Sequence, residues 1–265
     1  MLSKWKISAV VMAAAASGVA APCFAQSAAE NAAHDAQNPI ANVISVPFQD
    51  NTYFDAGSSD RAQNVLLVQP VVPIKLGDDW NIITRTIVPI INQPHMPPLT
   101  GSTFGLGNIQ PQFYLSPSRT GEIIWGVGPQ FWLPTATDKT VGVNRFGAGP
   151  AGVALTIQGP WVLGGLVSTM WAGSDRNGVN ETTVQPIAFY NMAKGWYVMS
   201  SPVITSNWLK ESNERWTVPA GGGFGRLFTI GGQIVNARIQ LFNNVVRPTD
   251  GDRWQAQFQI QFLFK

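Results

Sequence analysis

The run from Trp254 to Phe264, WQAQFQIQFLF, alternates without a slip. Trp254, Ala256, Phe258, Ile260, Phe262 and Phe264 fall on one face, and Gln255, Gln257, Gln259 and Gln261 on the other. A period of two belongs to an extended strand. With one face apolar and the other a row of amides, the strand must stand between an apolar and a polar medium. A secreted β-sandwich turns such an apolar face into its core. A membrane barrel turns it to lipid and the amides to the lumen. The pattern recurs in Val235, Ala237, Ile239 and Leu241 against Asn236, Arg238 and Gln240.

Turn spacing favours the barrel. From Gln63 onward, strand-like runs of about ten to thirteen residues are joined by connections that are alternately short and long. The short ones are 75–79, 116–121, 158–160, 193–195 and a glycine-rich turn near 229–232. The long ones centre on 92–104, 135–145, 172–181, 209–215 and 247–252. Two strands per short turn, a first strand around 42–53 and the terminal one predict about twelve antiparallel strands in an up-and-down transmembrane barrel. Its short turns face the periplasm and its long loops the outside.

Tryptophans lie near eight of the predicted strand ends: Trp80, Trp132, Trp161, Trp171, Trp196, Trp208, Trp216 and Trp254. All but Trp132 are assigned to two aromatic girdles. Trp161 and Trp171 bracket one strand at an even spacing and share its face. Ten residues at about 3.3 Å each, tilted by about 40°, climb roughly 25 Å, the height of the apolar band between girdles. A sandwich core has no reason to hold tryptophan at strand ends.

The first 25 residues read as a cleaved signal peptide: a basic start at Lys4 and Lys6, an apolar stretch 7–20, and small residues before Gln26. Export of this kind predicts a bacterial (Gram-negative) outer-membrane location. Residues 26–41 are predicted to be a flexible periplasmic tail or a small plug, and 42–265 the barrel. Cleavage removes the one cysteine, and fifteen basic residues then balance fifteen acidic ones. Neutrality excludes the electrostatic footprint of a nucleic-acid partner.

Chemical motifs are sparse. GAGPAG (147–152) matches a dinucleotide-binding glycine pattern, but Pro150 interrupts it and a strand follows rather than a helix. His34 and His95 have no ligand-spaced partners, so no metal, cofactor or catalytic residue is predicted. Inward positions read from the alternation instead give Arg85, Gln110, Gln112, Gln130, Gln185, Gln240 and Arg238 as candidate lumen or selectivity residues. Two readings stay open: a polar filling that any barrel needs, or a porin-like conduit in which the arginines shape the field.

Several runs, among them QNVLLVQPVVPI, DWNIITRTIVPIINQP, GLGNIQPQFYLSP, WGVGPQFWLPTATD and the FQIQFLF ending, resemble a family of bacterial outer-membrane proteins grouped as "MetA-pathway of phenol degradation". Its members are often labelled transporters or, misleadingly, neuromedin U. The resemblance spans nearly the whole exported chain and implies an outer-membrane barrel linked to uptake of small or aromatic compounds. It carries over no substrate and no functional residue. The ending, with Phe258, Ile260, Phe262 and Phe264, also resembles the signal read by the barrel-assembly machinery, except that Lys265 follows the last aromatic.

The expected function is therefore passive or facilitated passage of small, mostly neutral solutes, aromatic ones included, with lipid, assembly machinery and solute as partners. The alternative is a closed structural or surface-interaction barrel. One local objection stands: prolines 70, 73, 89, 111, 129, 150, 186, 202 and 219 sit inside the strand runs. Each denies the ladder a donor, and lipid cannot replace it. Bulges or bends are expected there, with lumen water taking the orphaned carbonyl.

Overall fold

A computed structural model describes residues 31–264 apart from 57–60, 96–100, 120 and 174–177. The predicted signal peptide lies outside the described residues. Among the described residues, fifteen strand segments follow a helical stretch at residues 31–37. They are β1 (Ile44–Ala56), β2 (Arg61–Val68), β3 (Val71–Leu76), β4 (Trp80–Pro94) and β5 (Ser102–Leu106). Next come β6 (Gln110–Pro117), β7 (Ile123–Trp132), β8 (Gly147–Gln158), β9 (Trp161–Ala172) and β10 (Val179–Asn191). The last are β11 (Trp196–Ser200), β12 (Ile204–Asn207), β13 (Trp216–Ile230), β14 (Gln233–Val246) and β15 (Trp254–Phe264).

Three breaks each divide one wall strand in two. β2 and β3 both pair with β4, β5 and β6 both pair with β4, and β11 and β12 both pair with β10 and β13. The segments therefore make twelve wall strands. Antiparallel pairing runs around the ring, β15 returns to β1, and β9–β10 closes the barrel. Closure leaves the sheet of the described residues without a free edge.

Short turns gather at one end with the start of β1 and the end of β15. One of the tightest is Gly231–Gly232, where φ is 55° and 87°. Both residues sit in the left-handed region that a two-residue hairpin needs. Strands run further toward the loop end than the sequence pattern indicates. β5 and the first residues of β10 occupy positions read as loop, because ladder pairing with β4 and β9 continues past the apolar band.

The outer wall is apolar. Phe258 and Phe264 are exposed, and Phe262 packs edge-on against Phe48 of β1. Trp80, Trp161, Trp171, Trp196, Trp208, Trp216 and Trp254 are all exposed on it. At the short-turn end Trp80 meets Trp125, and Trp161 meets Tyr190. At the loop end Trp208 meets Trp216, with the Arg215 guanidinium 5.1 Å above the Trp208 ring. Trp132 ends β7, as its placement near a strand end implies, but it shares inward parity with Gln130 and lines the lumen.

Two outer loops are clasped to each other. Glu214 accepts the Thr249 N–H at 2.7 Å with one carboxylate oxygen and the Thr249 hydroxyl with the other. These bonds, the hydroxyl's first, hold the Glu214 carboxyl below the usual glutamate range. A group whose folded pKa is depressed stabilises above its unfolded value, about 4.3 for glutamate, and loses that contribution as pH falls through the folded one. The hydrogen-exchange protection of the Thr249 amide should therefore fall severalfold on acidification from neutral pH to below the glutamate range. Unchanged protection would show that the neutral acid holds the loops equally well.

Candidate functional site

The interior divides into three regions. Strands β14, β15 and β1 carry the amide face. Gln240 Nε2 donates to Gln257 Oε1 at 2.5 Å, and Gln257 Nε2 to Asn51 Oδ1 at 2.9 Å. Asn236 accepts the Tyr197 hydroxyl at 2.6 Å and donates to Gln261. Strands β8 to β10 carry the opposite character. Ala151, Val153, Leu155, Val162, Leu166, Ile187 and Phe189 face inward and are buried. Amides therefore do not dominate the whole interior: β8, β9 and the short-turn half of β10 are apolar on both faces, so alternation could not reveal their inner one.

The third region is the N-terminal segment, which the structure places inside the short-turn end. Ala32, Ala33 and Ala36 of the helix are buried against Leu227 and Leu263. Gln37 and Asn191 exchange two side-chain hydrogen bonds, at 2.7 and 3.1 Å. Ile40, 3% exposed, joins the apolar core with Ile83, Tyr114 and Tyr197. The helical residues 31–37 are docked by these contacts. Their alanines let the backbone lie close to the wall.

Above the plug is a cavity of about 480 Å³. Ala36 to Pro39 border it below, and Val141 to Val143 of the 133–146 loop border it at the outer end. That loop is fastened at the β5–β6 break: Thr135 Oγ1 accepts the Ile109 N–H at 2.8 Å and donates to the Gly107 carbonyl at 2.9 Å. Asn108 Nδ2 bonds the Leu133 carbonyl at 2.8 Å. Gly142 packs so closely on Asn108 that a Cβ would stand 2.5 Å from the amide oxygen.

Arg85, Arg238, Gln110, Gln112 and Gln185 border this cavity; Gln130 and Gln240 point inward but are 1% exposed and do not border it. These two amides serve the wall itself. Prolines 111 and 129 lie on adjacent strands, and β6 pairs with β7 only at Gln112–Gln130 and Leu115–Val127. From inside, Gln110 and Gln112 both donate to Gln130 Oε1, at 2.7 and 3.0 Å. Pro150 stands opposite Thr169, in a ladder otherwise paired at Ala148–Trp171 and Ala151–Ser168. Gln130 Nε2 donates to the Thr169 carbonyl at 3.0 Å. A lumen amide, in place of the expected water, thus supplies the donor that proline lacks.

Gln240 does similar work at the β11–β12 break beside Pro202, accepting the Ser201 N–H at 3.1 Å. Gln185 bonds the Ser201 hydroxyl at 2.9 Å. Pro219 coincides with a register shift, whereas Pro186 stays in regular register opposite Gly165. Bends and bulges therefore account for some of the prolines, and side-chain repair for others. Glu181, missed by the alternation because it sits in a stretch read as loop, also borders the cavity near the outer end.

His95 bonds Thr103 at 2.9 Å. Among the described residues there is no His, Cys, Asp or Glu cluster suited to a metal.

No protein-family profile and no curated protein sequence matches the chain. Solved structures do. An outer membrane channel from Pseudomonas putida F1 superposes with a TM-score of 0.62 at 13% identity, over 86% of this chain and 97% of that one. Outer membrane phospholipase A from Escherichia coli gives 0.43 at 12% identity, over 84% and 97%. A Pseudomonas aeruginosa FadL homologue gives 0.39 at 9%, over 84% and 89%. The first likeness shows a shared outer-membrane barrel fold; the identities carry nothing finer.

Proposed function

We propose that this barrel is an outer-membrane channel for small solutes, its lumen narrowed by its N-terminal plug. The observation that carries the reading is the cavity between plug and inner loop. Its walls are amphipathic, with amides and arginines on one side and aliphatic side chains on the other. Such a lining suits small molecules with an apolar body and a polar group, in keeping with the resemblance to the phenol-degradation grouping. The signal peptide, outer-membrane lipid and the assembly machinery complete the proposed setting, with no enzymatic role.

One observation favours the alternative of a closed barrel. Below the cavity, Ile83, Tyr114 and Tyr197 fill the lumen together with the plug, all at 1–3% exposure where Ile40 joins them. Planar-bilayer recordings and liposome flux on the refolded exported chain separate the two. Discrete conductance steps and solute uptake are expected. Their complete absence, also after the plug is removed, would leave the closed barrel standing.

A further inference from the structure

Resting on the reading of the cavity as the solute's path, we propose that it holds a specific site for a small organic monocarboxylate, gripped between Arg85 and Arg238. The two arginines stand on β4 and β14, on either side of the wall formed by β15, β1, β2 and β3. Arg238 leans in from one flank, donating from Nη2 to Gln259 at 2.6 Å and to Gln49 of β1 at 3.5 Å. Arg85 leans in from the other, donating to Gln69 at the β2–β3 break. Gln49 is paired with Leu67, two residues from Gln69, and the Gln69 N–H bonds the Pro47 carbonyl at 2.9 Å. Both guanidinium groups therefore converge on one patch of wall.

Their charges are not neutralised there. Among the described residues both have amide partners and no carboxylate partner, and the Arg238 Nε is buried without a hydrogen bond. A guanidinium has five donors in a fixed fork, and the amide bonds engage only Nη2 of each arginine. Two cations brought together in a confined lumen repel each other, and an anion between them relieves the repulsion. The planar fork matches a carboxylate in two parallel bonds.

Aliphatic walls decide the rest of the ligand. Leu67, Ile87, Leu166, Ile187 and Phe189 border the same cavity, whose volume lies within the range of small-molecule sites, about 300–1,000 Å³. An inorganic anion would leave these walls unused. Glu181, nearer the outer end of the cavity, disfavours a second negative charge on the entering molecule.

The test is calorimetric titration of the refolded chain with benzoate, its neutral isostere benzamide, and inorganic phosphate. Saturable benzoate binding is expected, on the order of tenfold or more tighter than benzamide. Arg85→Gln and Arg238→Gln should each weaken benzoate by a similar factor and leave benzamide unchanged, with folding verified by the heat-modifiable mobility of the barrel in electrophoresis. Equal affinity for benzoate and benzamide, or phosphate binding as well as benzoate, would overturn the site. So would binding that ignores both substitutions. Binding without any flux keeps the site and removes the channel reading; flux without benzoate binding does the reverse.

Discussion

Deleting residues 31–41 should raise single-channel conductance on the order of tenfold, because the plug occupies the short-turn end of the lumen. The segment is held by small increments: three alanines on Leu227 and Leu263, one amide exchange between Gln37 and Asn191, and Ile40 in the core. A double change, Ala33→Glu with Ala36→Glu, keeps the chain length and places charge against buried leucine, which should expel the helix. Both versions should open the barrel to similar levels. Conductance that stays at the starting level in both would mean that Ile83, Tyr114 and Tyr197 close the lumen without help from the plug.

The second large effect concerns the wall. Gln130→Leu should destabilise the barrel by about 3 kcal/mol, since one amide is lost and the Thr169 carbonyl, Gln110 and Gln112 are left short of partners. The proline repair makes this separable from simple packing loss. Pro150→Ala restores a backbone N–H opposite Thr169, so adding it to Gln130→Leu should recover about 1 kcal/mol of the loss. On its own, Pro150→Ala should have a smaller effect because Gln130 already serves that carbonyl. Urea unfolding in lipid vesicles gives the four values of this cycle. Strictly additive values would show that Gln130 and Pro150 act independently.

Different parts of the molecule were legible for different reasons. The terminal strand, the turn parity and the tryptophan ends are local signals imposed by a two-residue period and a fixed membrane thickness. They follow from neighbours in sequence, and the twelve wall strands appear where that reasoning places them. Trp132 shows the limit: proximity to a strand end says little unless parity is followed too. Glu181 shows another, since composition marked its stretch as a loop while the ladder with β9 continued through it.

By itself, the sequence determined that the chain forms an antiparallel barrel with an apolar exterior and amides on the inner face of β14 and β15. These properties depend only on which residues alternate and where the chain must turn. Tertiary structure alone decided the rest. An alanine-rich segment has no pattern strong enough to announce a plug; its place depends on Leu227 and Leu263, brought two strands apart on the inner wall. Which carbonyl Pro150 orphans, and that Gln130 reaches it from β7, depends on register between strands. The convergence of Arg85 and Arg238 likewise exists only once β15 pairs with β1 and the barrel closes, because no local rule relates residues that far apart in the chain.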